Sequence, residues 1–156
     1  MDLFYTTCDK FAGDTLREKQ HNAGRYLVEY VAKNVYKIEN SELEVVNKKP
    51  KFKFSDLHFS ISHCHNYAVV VFDKNPVGVD IEKIAPRNFE AVAKRMKFEL
   101  KENTLAGFYD AWTIFEAKYK LQEDANSVLT LDFMHEYKIS VASNNTTEIK
   151  LYINKI

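Results

Sequence analysis

Two carboxylates alternate with apolar residues in one short segment of the chain. In the sequence VGVDIE at 77–82, three aliphatic side chains recur at every second position, so Asp80 and Glu82 lie together on the opposite face of a strand. Like charges this close raise each other's pKa unless a cation or a hydrogen-bond donor lies between them. Mg²⁺ commonly takes one or two carboxylates together with water and substrate phosphate. The segment is typical of a cation site, and equally of the solvent-facing side of a sheet.

A third carboxylate and an ammonium group follow in a helical pattern. Trp112, Glu116 and Lys120 are spaced by four, which places their side chains along one helix face. One interpretation is a surface Glu–Lys pair, worth about 0.2–0.5 kcal/mol. The other is a third ligand for the cation, followed one turn later by an ammonium that holds a phosphate or, once desolvated, acts as a base. The spacing alone permits both.

The histidines near residue 60 do not form a transition-metal motif. On a strand, His63 and His65 share one face while Cys64 points to the other, so the three cannot readily converge on one zinc ion. An imidazole at His63 beside the Ser62 hydroxyl and backbone amides could bind a phosphate. The alternative is a partly buried histidine whose ring is satisfied by a hydrogen bond.

Four lysines surround Pro50 between positions 48 and 53, with no acidic residue among them. Such a run normally forms a solvated loop. In a protein of balanced charge it could also attract a polyphosphate or an acidic partner.

The composition excludes several classes of protein. The chain has 156 residues, with 22 Lys and Arg against 22 Asp and Glu. This balance lacks the basic excess of a general nucleic-acid binder and argues against adhesion to anionic membranes. No apolar run approaches the roughly 20 residues of a membrane span. Two cysteines are too few for a disulfide framework, so we expect a reducing, cytoplasmic location.

The secondary-structure pattern is α+β. Apolar spacing predicts a helix that is capped at Asp14 or Thr15 and runs to about Tyr36, and two more helices. The later two span 89–96 and about 102–121. Strands are predicted at 57–62, 67–72 and 77–84, joined as an antiparallel meander, and in the tail at 129–133, 137–141 and 149–153.

The turn signals are sparse, and we expect one compact unit rather than separate domains. The region 41–53 combines a short apolar run at 43–46 with a lysine-rich turn around Pro50. A helix, a group of strands, helices and strands again suggest two similar halves, about 1–84 and 85–156. Each half would be a long helix packed on a small antiparallel sheet.

Four segments, taken in order, resemble motifs of the 4'-phosphopantetheinyl transferase superfamily. They are KP at 49–50, FSISH at 59–63, GVDIE at 78–82 and WTIFEAKYK at 112–120. The closer likeness is to the larger, monomeric branch, which activates peptide and polyketide synthases. The matching region runs from about residue 25 to residue 120.

The resemblance implies a magnesium site and a coenzyme A site. Asp80, Glu82 and Glu116 would bind Mg²⁺, and Lys120 would contact the diphosphate of coenzyme A. Glu116 is the preferred general base and Lys120 the competitor, while Glu99 or Glu102 could also contribute.

The resemblance also assigns the rest of the coenzyme. Ser62 and His63 would contact phosphate groups, and Arg25 would hold the 3'-phosphate. The chain at Lys49 and Pro50 would bracket the adenine, largely through its backbone.

The activity implied is transfer of 4'-phosphopantetheine from coenzyme A to a serine of an acyl or peptidyl carrier protein, with release of 3',5'-ADP. The alternative is a non-catalytic relative that binds coenzyme A or a carrier protein, since Phe115 replaces the lysine that usually precedes Glu116. The lysine-rich turn, or Lys94, Arg95 and Lys97, could dock an acidic carrier protein. We expect a monomer.

Overall fold

Two β-sheets lie between two long helices in a computed structural model that describes residues 1–156. The α-helices are α1 (Leu16–Asn34), α2 (Phe89–Met96) and α3 (Leu105–Leu121), and Cys8–Lys10 form a 3₁₀ turn. The strands are β1 (Asp2–Thr7), β2 (Leu43–Val46), β3 (Lys49–Phe52), β4 (His58–Cys64), β5 (Tyr67–Asp73), β6 (Val77–Lys83), β7 (Ser127–Phe133), β8 (Tyr137–Ser143) and β9 (Tyr152–Lys155). None of the helices combines the length and apolar character needed to span a lipid bilayer.

The strands form two sheets and a separate hairpin. The first sheet has the order β4-β5-β1-β9, the second has the order β6-β8-β7, and β2 pairs with β3. Neighbouring strands are antiparallel except β1 and β9, which run parallel. Helix α1 packs on the first sheet and α3 on the second. The prediction of an α+β fold with a long helix on each of two small sheets is therefore confirmed.

Strand β5 is buried on both faces. Val70 and Phe72 pack with the residues of α1, while Val69 and Val71 pack between the two sheets. This double burial explains why the segment reads as a continuous apolar run rather than an alternating one.

The helix predictions agree with the structure, with one shift at a helix start. The Thr15 side chain accepts a hydrogen bond from the backbone N–H of Glu18, whose carboxylate accepts from the Thr15 N–H, so a capping box begins α1. Helix α2 has the predicted bounds. Helix α3 begins at Leu105 rather than near 102, because Thr104 caps it by accepting from the Gly107 N–H at 3.0 Å.

The predicted three-strand meander is wrong in its third strand. β4 and β5 pair as expected, but β6 pairs with β8, with Asp80 opposite Ser140. The tail strand lies at 152–155 and pairs with β1 instead of following β8. Each sequence half therefore gives one strand to the other half's sheet.

The lysine-rich region is also more ordered than predicted. Pro50 lies in β3 rather than in a turn, and the turn itself is at Asn47 and Lys48. Both turn residues have positive φ, 51° and 65°, as expected for a two-residue hairpin turn that follows the strand twist.

Candidate functional site

The carboxylate face of β6 is covered by helix α3. Val79 and Ile81 pack between the sheets, while Gly78 approaches the backbone of α3 and Asp80 is only 4% exposed. The predicted division of β6 into two faces is confirmed. The solvent-facing interpretation is wrong, because the helix covers this face.

Three side chains from three elements contact one another: Asp80 of β6, Ser62 of β4 and Lys120 of α3. The Lys120 ammonium donates to Asp80 Oδ1 at 2.7 Å and to Ser62 Oγ at 2.8 Å. The Ser62 hydroxyl in turn donates to the same Asp80 oxygen at 2.9 Å. The buried negative charge is thus paired and hydrogen-bonded, as burial of a carboxylate requires.

The second oxygen of Asp80 has no partner. Oδ2 is buried and makes no hydrogen bond. Glu82 and Glu116 lie close enough to Asp80 for its charge to act on them. Burial raises the pKa of both carboxyls most, and the Asp80 charge raises it further. Hydrogen bonding from Cys64 and Trp112 partly offsets the shift in the pKa of Glu82.

This donor set suits a hard cation. Mg²⁺ prefers carboxylate oxygens and water, and the unpartnered Asp80 oxygen is available to such an ion. As arranged here, no three His, Cys, Asp or Glu side chains are grouped closely enough to ligate one metal ion. The nearest cation to Asp80 is instead the Lys120 ammonium. Lys120 and a metal ion would therefore share the Asp80 carboxylate.

Glu116→Gln is expected to raise the melting temperature of the metal-free protein and to abolish any Mg²⁺-induced increase. A carboxyl whose pKa is raised in the folded state stabilises it below the unfolded pKa, and this contribution is lost as pH rises through the folded pKa. At neutral pH the ionised Glu116 therefore destabilises the folded state, and the neutral amide removes this destabilisation. Thermal unfolding with Mg²⁺ or EDTA measures both effects.

The exposed Glu39→Gln is the matched control and should change neither value. A Mg²⁺-induced shift retained in Glu116→Gln would exclude this carboxylate as a ligand.

A row of β4 side chains connects β4 to β6. Ser60 Oγ accepts from the Val79 N–H at 3.1 Å, Ser62 Oγ from the Ile81 N–H at 3.3 Å, and Cys64 Sγ from the Lys83 N–H at 3.3 Å. These side chains take the place of the carbonyl acceptors of a neighbouring strand. They fix the FSISH strand against the GVDIE strand.

Ser62→Ala is expected to destabilise the protein by about 2 kcal/mol, because it removes one bond to Asp80 and one from Lys120 and leaves the Ile81 N–H unpaired. Ser60→Ala loses only the bond from Val79 and should cost about 1 kcal/mol. Urea unfolding of the two variants gives the comparison. Equal costs would show that the Asp80–Ser62–Lys120 contacts add nothing to stability.

The hairpin β2–β3 is fastened beside the same cluster. Lys49 Nζ donates to the Val77 carbonyl at 2.8 Å, and Gln122 Nε2 donates to the Asn47 carbonyl at 2.7 Å. Burial, with a smaller effect of Lys51, lowers the pKa of Lys49 to about 8.

A cavity of about 220 Å³ lies between the hairpin, β4 and the end of α3. Lys49, Pro50, Tyr119 and Lys120 all line it. The structure thus brings together one group of predicted coenzyme-binding residues.

Three basic side chains lie where α1 approaches β4, and we call them the basic cluster: His21, Arg25 and His63. Desolvation first, then the Lys120 ammonium and His21, lower the pKa of the His63 imidazole. A Cβ at Gly24 would lie 3.0 Å from the Ile61 side chain, so α1 passes close to β4 next to Arg25. Arg25 itself is exposed and pairs with Glu29 at 3.3 Å.

Three residues near the site are not among the site residues predicted from the sequence. His21 is one helical turn before Arg25, and this spacing could have indicated it. Cys64 Sγ donates to Glu82 Oε2 at 3.6 Å, which its strand parity could have suggested. No pattern in the sequence indicates Gln122, because its side chain donates to a backbone carbonyl of a hairpin that is distant along the chain.

Comparison with curated proteins gives several partial matches. The chain is 31% identical over 122 residues to the 4'-phosphopantetheinyl transferase Sfp of Bacillus subtilis, which is 70% of this chain and 54% of that protein. It is 29% identical over 80 residues to the transferase gsp of Aneurinibacillus migulanus, 46% of this chain and 33% of the relative. A putative 4'-phosphopantetheinyl transferase of Haemophilus influenzae is 31% identical over 86 residues, 47% of this chain and 37% of the relative.

No protein-family model matches the chain. The chain spans about half the length of the Bacillus subtilis relative and about a third of the other two. Within these segments, the similarity supports the 4'-phosphopantetheinyl transferase superfamily and does not distinguish its branches.

Proposed function

We propose that the chain is a Mg²⁺-dependent enzyme that transfers 4'-phosphopantetheine from coenzyme A to a serine of an acyl or peptidyl carrier protein. The observation that carries the proposal is the contact of Asp80, Ser62 and Lys120. These residues belong to three separate motifs, and Ser62 and Lys120 are 58 positions apart in the chain. The fold thus assembles residues that local sequence could not bring together. A cytoplasmic monomer of the larger branch is part of the proposal.

Asp80, Glu82 and Glu116 are the proposed ligands of Mg²⁺. When bound, the ion supplies positive charge that stabilises the pyrophosphate of the leaving group. The buried unpartnered oxygen of Asp80 supports this assignment.

Lys120 and His63 are the proposed donors to the coenzyme phosphates. The Lys120 ammonium is already oriented by two acceptors, so little reorganisation is needed when negative charge develops beside it. Ser62 is 5% exposed and its hydroxyl serves Asp80 and Lys120. Its predicted phosphate contact would therefore require this hydroxyl to change partners.

The proposed reaction is an in-line phosphoryl transfer. The serine hydroxyl of the carrier protein loses its proton to a base, and its oxygen forms a bond to the β-phosphorus of coenzyme A. The bond from that phosphorus to the bridging oxygen breaks, and 3',5'-ADP leaves as the anion.

Glu116 is the proposed base. Burial and the neighbouring Asp80 charge raise its pKa, which makes the carboxylate a better proton acceptor. Lys120 is the competing candidate, but its ammonium is held as a donor to Asp80. Glu99 and Glu102 lie in the exposed segment before α3 and are further alternatives.

The coenzyme is proposed to lie between the hairpin and the basic cluster. The cavity beside Lys49 and Pro50 would take the adenine end. Arg25 would hold the 3'-phosphate by exchanging its exposed pair with Glu29 for the anion, a small cost because exposed ion pairs contribute little.

Binding without turnover is the second candidate function, and one observation favours it. Phe115 is 40% exposed and its ring lies 5.5 Å from that of Phe98, so no cation is present at the position before Glu116. Charge on the diphosphate would then be offset by fewer donors.

The deciding experiment incubates the chain with coenzyme A, Mg²⁺ and a panel of apo carrier proteins, and measures the phosphopantetheine mass increase. A mass increase that EDTA abolishes supports the proposal. Coenzyme A binding by calorimetry without transfer to any carrier would favour the second candidate. Absence of both binding and transfer would refute both functions.

A further inference from the structure

One hydroxyl of β4 makes two contacts with β6. Ser62 Oγ accepts a hydrogen bond from the Ile81 N–H at 3.3 Å and donates one to Asp80 Oδ1 at 2.9 Å. The N–H donor is 19 positions ahead of the serine, and the carboxylate is 18 positions ahead. The second contact orients a carboxylate that the proposed function assigns to Mg²⁺.

Cys64 repeats these two contacts at the next position on the same face. Its Sγ accepts from the Lys83 N–H at 3.3 Å and donates to Glu82 Oε2 at 3.6 Å, again 19 and 18 positions ahead. Every second residue of a strand lies on the same face, so the thiol has the same relation to Glu82 as the Ser62 hydroxyl has to Asp80.

The thiol suits this contact and does not suit direct binding of Mg²⁺. An ordinary thiol is largely protonated at neutral pH, so it can donate to a carboxylate. Sulfur is a soft ligand, whereas Mg²⁺ prefers oxygen. Both contacts of Cys64 Sγ are made with protein atoms. Its effect on a cation would therefore pass through Glu82.

The Glu82 carboxylate is bonded to two other elements of the fold. Besides Cys64 of β4, the Trp112 side chain of α3 forms a hydrogen bond with it. Asp80, the preceding carboxylate on this face of β6, has a buried oxygen without a partner. Hydrogen bonds that fix a ligand from outside the metal site increase the affinity of that site for its ion.

We infer that Cys64 is a positioning residue for the cation site, and that its thiol holds the Glu82 carboxylate beside Asp80 and so raises the affinity of the chain for Mg²⁺. The inference rests on the proposed function, because it takes Glu82 as a ligand of the ion. It adds a residue that lies outside the four segments that resemble the family's motifs.

The test measures how thermal unfolding depends on the Mg²⁺ concentration. An ion that binds the folded state stabilises it by RT ln(1 + [Mg²⁺]/Kd), so the concentration dependence of the melting temperature gives Kd for variants of different stability. Cys64→Ala should raise Kd about tenfold, the lower end of the range for such outer partners, because Trp112 still contacts Glu82. In the transfer assay, the KM for Mg²⁺ should rise by the same factor.

Two further variants separate the hydrogen bond from side-chain packing. Cys64→Ser should restore Kd to within about threefold of the unmodified chain, because the Ser62 hydroxyl makes both contacts at the equivalent position. Cys64→Val keeps an apolar side chain of similar size in the sheet interface and should match Cys64→Ala. A serine variant as weak as the alanine variant would contradict the inference, since packing of the sulfur would then be what matters.

Ser60→Ala is the matched control. The Ser60 hydroxyl accepts from the Val79 N–H at 3.1 Å, but the residue 18 positions ahead is Gly78, which has no side chain to hold. The variant therefore loses a similar contact between the strands and should keep the Kd for Mg²⁺. An equal rise in Kd for Ser60→Ala and Cys64→Ala would overturn the inference, because loosening of β4 from β6 would explain both.

The Mg²⁺ measurement separates this inference from the proposed function. It needs neither coenzyme A nor a carrier protein, so a chain that transfers nothing still tests the role of Cys64. Transfer with an unchanged Kd for Mg²⁺ in Cys64→Ala would refute the inference and leave the proposed function in place. An unmodified chain whose melting temperature does not respond to Mg²⁺ would also refute it, even if transfer is found.

Discussion

Asp80→Asn is expected to reduce phosphopantetheine transfer by about a thousandfold while the protein remains folded. The amide keeps the size of the side chain and can still accept from Ser62, but it removes the only charge that pairs with Lys120. It also leaves two carboxylates where the proposed cation site has three. Loss of one preorganised charged group at a reacting centre commonly costs 10²–10³ in rate, roughly, and here two functions depend on it.

The measurement is the rate of mass increase of an apo carrier protein, together with a thermal unfolding curve with and without Mg²⁺. Asp132→Asn is the matched control, since Asp132 pairs with Lys138 on the exposed side of β7 and is 73% exposed. It should retain the full rate. An Asp80→Asn variant with unchanged turnover would refute the proposed role of this carboxylate.

The alternation along β6 and the fourfold spacing on α3 could be read from the sequence, because each depends only on local geometry. Period two on a strand places Asp80 on one face, and period 3.6 on a helix aligns Glu116 with Lys120. The structure places these two faces against each other. Neither pattern alone shows that the two faces meet, so the contact between Asp80 and Lys120 is seen only in the structure.

The pairing of β6 was not predictable from the turn before it. Asn75 donates both its backbone and its side-chain N–H to Asp73 Oδ1, which stabilises a turn whichever strand follows. These turn hydrogen bonds reverse the direction of the chain, but they do not determine which strand pairs with β6. β6 instead takes its backbone partners from β8, more than 50 residues later.

The hydroxyl row of β4 shows a second limit. Serines at alternate strand positions normally indicate a solvated face, yet Ser60 and Ser62 are 4% and 5% exposed. They are buried because β6 lies over this face of β4, with backbone N–H groups that need acceptors. The N–H groups that require acceptors are in β6, so the sequence of β4 alone does not indicate that its serines are buried.

Gly78→Ala is expected to destabilise the protein by about 3 kcal/mol or more and to impair the site. A Cβ at this position would overlap the Ala117 carbonyl oxygen and lie 2.6 Å from the Leu121 nitrogen. Both atoms are backbone of α3, so they can move only if the helix moves. Since Lys120 lies between these two contacts, the displacement would pull its ammonium away from Asp80.

Gly24→Ala supplies the control, because its Cβ would meet one side-chain methyl group, Ile61 Cγ2 at 3.0 Å, and no backbone atom. Alanine also gains about 1 kcal/mol in helix propensity there, so the net change should be within about 1 kcal/mol of zero. Urea unfolding of both variants and the transfer assay at a temperature where both are folded complete the test. If Gly78→Ala were as stable and active as Gly24→Ala, close approach of α3 to β6 would not be what positions Lys120 over Asp80.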